Sequence, residues 1–238
     1  MTTLAERSLG RPTSRRRLLK DRLALLAMYA AVAVSLIPLG LIIYFLLIRG
    51  LGAMTWEFLT SSQPLTYIRE GGGALNAVVG TAYMVGLASL ISVPLGIGAA
   101  IYLNEYGRGR FAASVRFFAD VMTGVPSVFV GLFIYTILIV DTPVGFSAIA
   151  GGLALSLIML PIIIRSTEEI LKLVPDSLRD ASHALGATRA RTTMRVVLPA
   201  ARAGIATGVM LAVARAAGET APLIMTALGS VQLVSSWT

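Results

Sequence analysis

The chain alternates between long apolar runs and short polar, mostly basic interruptions. Leu23 to Ile48 is apolar throughout apart from Ser35 and Pro38. About twenty residues at a helical rise of ~1.5 Å cross a bilayer, so this run predicts a first membrane helix, kinked at Pro38. Arg49 to Gly73 mixes Trp56, Glu57, Tyr67, Arg69, Glu70 and a glycine triplet, and cannot span. Its Trp and Tyr suit the membrane interface, and part of it is expected to form a short surface helix. Ala74 to Leu103 predicts a second span. Its glycines (Gly80, Gly86, Gly96, Gly98) point to close packing between neighbours. Asn104 to Arg116 reads as a short loop and Phe117 to Val140 as a third span. Asp141 to Ser147 reads as a turn, and Ala148 to Leu173 as a fourth span. After a polar stretch, Asp176 to Arg202, a fifth span is expected from Ala203 to Leu228. Gly229 to Thr238 is too short to cross.

Composition agrees with lipid as the solvent. Of 238 residues 56% are hydrophobic and 13% charged, about half the charge of an ordinary soluble domain. The expected organisation is a cytoplasmic basic tail (1–22), a transmembrane domain (23–228) containing a loop at 176–202, and a polar C-terminal segment (229–238). The N-terminal run is too long for a signal-peptide core and lacks a small-residue cleavage pattern, so it reads as a retained span.

The formal charge of +8 follows membrane topology rather than nucleic acid, since no stacking aromatics are interleaved with the basic residues. The tail carries seven Lys and Arg, the 104–116 loop three, and 172–202 six. The 49–73 loop carries two and 141–147 none. By the positive-inside rule the N-terminus, the 104–116 loop and the 176–202 loop share the cytoplasmic side, and five spans put the C-terminus outside.

Enzymatic chemistry finds little purchase. Cysteine is absent and His183 is the one histidine, so thiolate sites and histidine clusters are excluded. Glu168, Glu169 and Asp176 are not fixed on one face as a metal site would need. No nucleophile–base arrangement and no glycine-rich phosphate loop is present, so the chain is not expected to hydrolyse ATP, and no cofactor is expected.

Four charges within the apolar runs invite a functional reading. Arg215 and Glu219 lie four residues apart inside the fifth run, on one helix face. A charge at mid-bilayer costs on the order of 3 kcal/mol even on the lenient scale, and pairing lowers that cost. An ion pair that only fixes packing is one reading. The other is an anion path, with the Arg215 fork suited to an oxyanion and Glu219 neutralising it between substrates. Arg165 and Glu168, three apart in the fourth run and nearer the cytoplasm, leave the same two readings open. The Gly124-Val125-Pro126-Ser127 stretch of the third run weakens backbone pairing at membrane depth, which is tolerated only against protein or a water-filled cavity. It reads either as a packing kink or as a break lining a pathway.

Asp180-Ala181-Ser182, three residues, Gly186, nine residues, Val196, one residue and Leu198-Pro199 form a spaced pattern across twenty positions. It resembles the cytoplasmic coupling loop of ABC importer permeases: Glu-Ala-Ala, three residues, Gly, nine residues, Ile, one residue, Leu-Pro. Asp180 stands for the Glu, Ser182 for the second Ala and Val196 for the Ile, and these departures keep charge sign or approximate size. Gly124-Val125-Pro126-Ser127 with Gly131-Leu132-Phe133, Leu160-Pro161-Ile162 with Arg165 to Glu169, and Arg215 to Leu223 together resemble the PstA-type permeases of bacterial phosphate importers. The resemblance covers about Leu23 to Ser230.

It implies an all-α membrane protein of the type I ABC importer permease fold, in the inner membrane. It also implies docking of an ATPase dimer through the small-residue face Ala181, Ala184 and Ala187, a PstC-type partner permease, and an extracytoplasmic phosphate-binding protein. ATP would be bound by the partner. Arg165, Glu168, Arg215 and Glu219 would then lie along the substrate path. Six spans are implied, whereas five are read before Thr238, so the last is expected to be missing. A permease for sulfate or molybdate, or a non-transporting membrane scaffold, remains an alternative on these residues.

Overall fold

A computed structural model of the chain describes residues 15–63 and 72–227. Tyr67, Arg69, Glu70, the first part of the basic tail and the C-terminal segment lie outside the described residues. The chain divides into two units, one ending at Trp56 and the other beginning at Glu57.

The first unit is dominated by α1, Arg15–Gly50, which continues through Pro38 and buries none of its residues. The basic residues from Arg15 to Arg22 therefore belong to the same helix as the first apolar run. A helix apolar all round and uncovered by its own unit suits a lipid environment.

The second unit takes in all but the first residue of the short α2, Trp56–Thr60. It is then organised around α6, Ala148–Lys172, which starts where the Ser147 hydroxyl accepts from the Ala150 amide at 3.2 Å. That cap satisfies one of the orphan donors of the first turn. α6 is buried on more than one face and contributes to four apolar clusters, in one of which Leu171 packs with Val197, Ala201 and Ile205. Leu155, Met159 and Ile163 pack with Val85 and Ala88 of α3, Leu75–Ile101, and with Ala212 and Ala216 of α9, Leu198–Ala217. Ile164 packs with Ala112 and Ala119 of α4, Arg110–Gly124. Ala150 and Ala154 pack with Ile134 of α5, Ser127–Ile134. Lipid tails are as apolar as these side chains, so close fit between helices supplies the cohesion. A Cβ on Gly96 would come within 2.7 Å of Ile163, and one on Gly208 within 2.6 Å of the Ser166 hydroxyl. Gly80, Gly86 and Gly98 meet nothing within 4 Å, so the glycine-rich α3 is packed on one side only.

Three expectations are corrected. The 104–116 loop shrinks to Gly107–Gly109: a π-helical turn, Tyr102–Tyr106, prolongs α3, and α4 begins at Arg110. The third run is not one straight helix. α4 and the segment Ser127–Val140 meet at an angle of 106°, because Val125 is extended and Pro126 has no amide hydrogen to continue the ladder. The fifth run breaks as well. α9 ends at Ala217, and after Gly218–Thr220 a short α10 follows, Ala221–Thr226. Four helices are long and apolar enough to cross a membrane among the described residues, five if the bent pair counts as one span.

Candidate functional site

The two helix breaks lie close together. α10 packs on α5 and α6, and the Thr226 carbonyl accepts from the Ser147 amide at 3.1 Å. Gly131 is what lets α5 approach: a Cβ there would sit 2.7 Å from the Pro222 Cα. A cleft of about 80 Å³ opens beside the bend. Its lining includes Thr123, Val125 and Ser127 from the bend, Ile158 and Ile162 from α6, and Arg215 from α9.

Arg215 sits in the last turn of α9, where its charge complements the partly negative helix end. Its side chain is 57% exposed, and its nearest carboxylate is Glu219 at 3.7 Å. Such an ion pair is loose, with donors of the guanidinium fork left over for another acceptor. The expected pairing is therefore present, although Glu219 lies beyond the end of α9 instead of one turn further along it. Broken helices with polar groups at membrane depth line a cavity or are buried in protein. Here Arg215 of α9 and the Gly124–Ser127 bend line the same cleft.

Arg165 and Glu168 are paired as expected, at 3.0 Å, but within a larger cluster. Glu168 has no exposed side-chain surface. Its Oε1 accepts from Arg116 Nε at 2.7 Å and lies 3.5 Å from Lys172 Nζ. Arg165 Nε reaches Asp120 Oδ1 at 2.8 Å, and Arg116 Nη2 donates to the Leu103 carbonyl at 2.7 Å. The cluster thus ties α6 to α4 and to the end of α3. Arg165 is held by two carboxylates and does not line the cleft, so it is not brought together with Arg215. Sequence reading missed Arg116, Asp120 and Lys172. A signal was available: Arg116 and Asp120 are four apart, one face of a helix, and Asp120 is a carboxylate inside an apolar run.

The polar stretch after α6 forms a helical hairpin. α7, Asp176–Ala184, buries none of its residues; Asp180 and Ala181 are exposed. It ends as a Schellman motif, in which the Gly186 amide donates to the His183 carbonyl at 2.9 Å and the Ala187 amide to the Ser182 carbonyl at 3.2 Å. The motif needs a left-handed residue, and Gly186 supplies it with φ +78°. Leu185 stands 90% exposed at this tip. Beyond it, Thr188 caps α8, Arg189–Thr192, and a π-helical turn, Thr193–Val197, leads into α9. Ser182 and Thr192 hydroxyls lie 2.9 Å apart and close the hairpin. Val196 and Leu198 are half-buried, and Pro199 is exposed in the first turn of α9. The motif is therefore split. Its first half forms an exposed helix, and its second half is the root of a membrane helix, with Val197 fully buried. Of the small-residue face, Ala181 and Ala184 are exposed on α7, while Ala187 lies past its end.

Among the described residues no group of three or more His, Cys, Asp or Glu is placed to hold a metal.

This is the anatomy of a transport permease: membrane-length helices, paired breaks around a cleft, and an exposed helical hairpin at one end. The family described as the binding-protein-dependent transport system inner membrane component matches residues 92–238. A phosphate transport system permease protein PstA of Haemophilus influenzae is 43% identical over 218 residues, covering 91% of this chain and 76% of that protein. PstA 1 of Mycobacterium tuberculosis is 40% identical, covering 90% and 71%, and PstA of Yersinia pestis 43%, covering 89% and 71%. A chain of the MetNI methionine ABC transporter, solved in inward-facing conformations, is 21% identical with a TM-score of 0.53, covering 66% of this chain and 74% of that one. The chain belongs to this family of ABC importer permeases, in its PstA branch. It is an inner-membrane component of a transport system that also comprises an ATPase and a binding protein.

Proposed function

We propose that this chain forms part of the path by which inorganic phosphate crosses the inner membrane. The observation that carries the proposal is Arg215, a loosely paired cation on the cleft where two broken helices meet. Its planar fork matches phosphate oxygens, and Glu219 at 3.7 Å gives it a resting partner between substrates. The names of the curated relatives support phosphate as the substrate.

A PstC-type permease completes the path, and a dimeric ATPase docks on the hairpin from Asp180 to Pro199. Exposed Leu185 and the small residues of α7 support that contact, since an uncovered apolar tip on a helix without buried residues is suited to seat in a partner. The N-terminus lies on the cytoplasmic side with the hairpin, as the distribution of Lys and Arg favours. Closure of the ATPase dimer pushes on α7, the membrane helices rock, and the cleft opens alternately to the binding protein and to the cytoplasm. The Asp120–Arg165–Glu168–Arg116 cluster holds α4 to α6 during this motion.

The test is uptake of labelled phosphate and of labelled sulfate by cells lacking the endogenous permease and then given this chain with its partners. Phosphate uptake restored, with sulfate at background, is the expected result. Sulfate uptake at the same rate, or restoration of neither, contradicts the reading.

A further inference from the structure

We infer that Arg179 is the positioning residue through which movement of α7 reaches the membrane helices. The inference rests on the reading of α7 as the ATPase contact. α7 has no fully buried apolar side chain, so polar contacts carry much of its connection to the membrane helices. Arg179, on α7 and just before the Asp180–Pro199 motif, is 15% exposed and spends its donors on four acceptors. Nη1 donates to the Val174 carbonyl at 2.6 Å and to Asp176 Oδ1 at 3.1 Å. Nη2 donates to the Leu171 carbonyl at 3.0 Å and to Glu105 Oε1 at 3.0 Å.

These acceptors belong to three places. The Leu171 carbonyl lies in the last turn of α6 and the Val174 carbonyl just past it, where the partly negative helix end attracts a cation. Glu105 lies in the π-helical turn that ends α3, 74 positions away in sequence, and is only 8% exposed. Asp176 is 91% exposed and contributes little. One side chain therefore joins α7 to the ends of α6 and α3 at once. Asn104 Nδ2 donates to the same Glu105 oxygen at 2.8 Å and helps to fix it. The next residue, Tyr106, carries the Arg189 guanidinium 5.8 Å from its ring centre, so the second arm of the hairpin rests on the same turn. A π-helical turn has a locally altered ladder and often marks a functional position. Here it receives both arms of the hairpin. Lysine cannot replace Arg179, because a single ammonium on a flexible stem cannot span backbone carbonyls and a carboxylate in one planar arrangement.

The experiment compares wild type, Arg179→Gln, Arg179→Lys and Glu105→Gln in the purified, reconstituted complex with partner permease, ATPase and binding protein. It reads three quantities: ATPase recovered with the permease, ATP hydrolysed, and phosphate imported. The expected result is that Arg179→Gln recovers the ATPase in full while ATP consumed per phosphate rises at least about tenfold. Arg179→Lys is expected to rise less, and Glu105→Gln to rise in the same direction. A wild-type ratio in Arg179→Gln, or a rise there with no change in Glu105→Gln, overturns the inference. Loss of the ATPase from the Arg179→Gln complex overturns it too, by making Arg179 a folding or docking residue. A wild-type complex that binds no ATPase defeats the underlying reading of α7 instead, so the two failures are distinguishable.

Discussion

Glu168 is fully buried yet lies within 3.5 Å of three cations, whereas Arg215 is more than half exposed and holds one carboxylate at 3.7 Å. The contrast separates two uses of charge in apolar helices. A buried carboxylate with short, multiple bonds is a clamp, and removing it leaves cations facing a neutral partner. The cations around Glu168 are a third to a half exposed, so water offsets part of that loss. Glu168→Gln is therefore expected to cost about 2 kcal/mol, below the usual cost of breaking a fully buried pair. It would appear as a lower thermal unfolding midpoint in detergent, and an unchanged midpoint would show the cluster to be dispensable for stability. A loosely held cation on a cleft predicts the opposite pattern. Arg215→Gln should leave the unfolding midpoint and ATPase recovery within error of wild type while phosphate uptake falls at least about tenfold. Unchanged uptake would remove Arg215 from the path.

Helix breaks distinguish this chain from a bundle of straight spans. The apolar runs were legible because lipid demands a length, and nothing else in a chain this apolar needs one. Their starts and ends were less so: the basic residues 15–22 and 189–198 read as tail and loop, but they are helical, prolonging the apolar helices they adjoin past the membrane-length run. Gly124 and Pro126 announced a weak point in the third run. The size of the bend did not follow from them, because α10 packed on Gly131 is part of what sets it, and α10 comes some ninety positions later. Arg179 was invisible for the same reason, since its buried carboxylate partner comes from the end of another helix. Gly131→Ala tests the packing of α5 on α10 directly. The added Cβ meets backbone at 2.7 Å, which cannot rotate away, so a loss of about 1–3 kcal/mol of stability is expected, read as a lower thermal unfolding midpoint in detergent. Gly80→Ala, with nothing within 4 Å, is the control expected to show none.

At the scale of the molecule, the second unit is built about α6, with the cleft beside its middle turns and the charged cluster and α7 toward its C-terminal end. Arg179 ties the hairpin to that same end, so one helix runs past both the proposed docking surface and the proposed path. Motion delivered at Asp180–Pro199 therefore has a short, continuous route to the cleft. The direct measurement is ATP-dependent import of labelled phosphate into proteoliposomes containing this chain, a PstC-type permease, the ATPase and the binding protein. Accumulation that requires ATP and excludes sulfate is the predicted result. ATP hydrolysis without accumulation by the intact wild-type complex, or accumulation of sulfate at an equal rate, would contradict it.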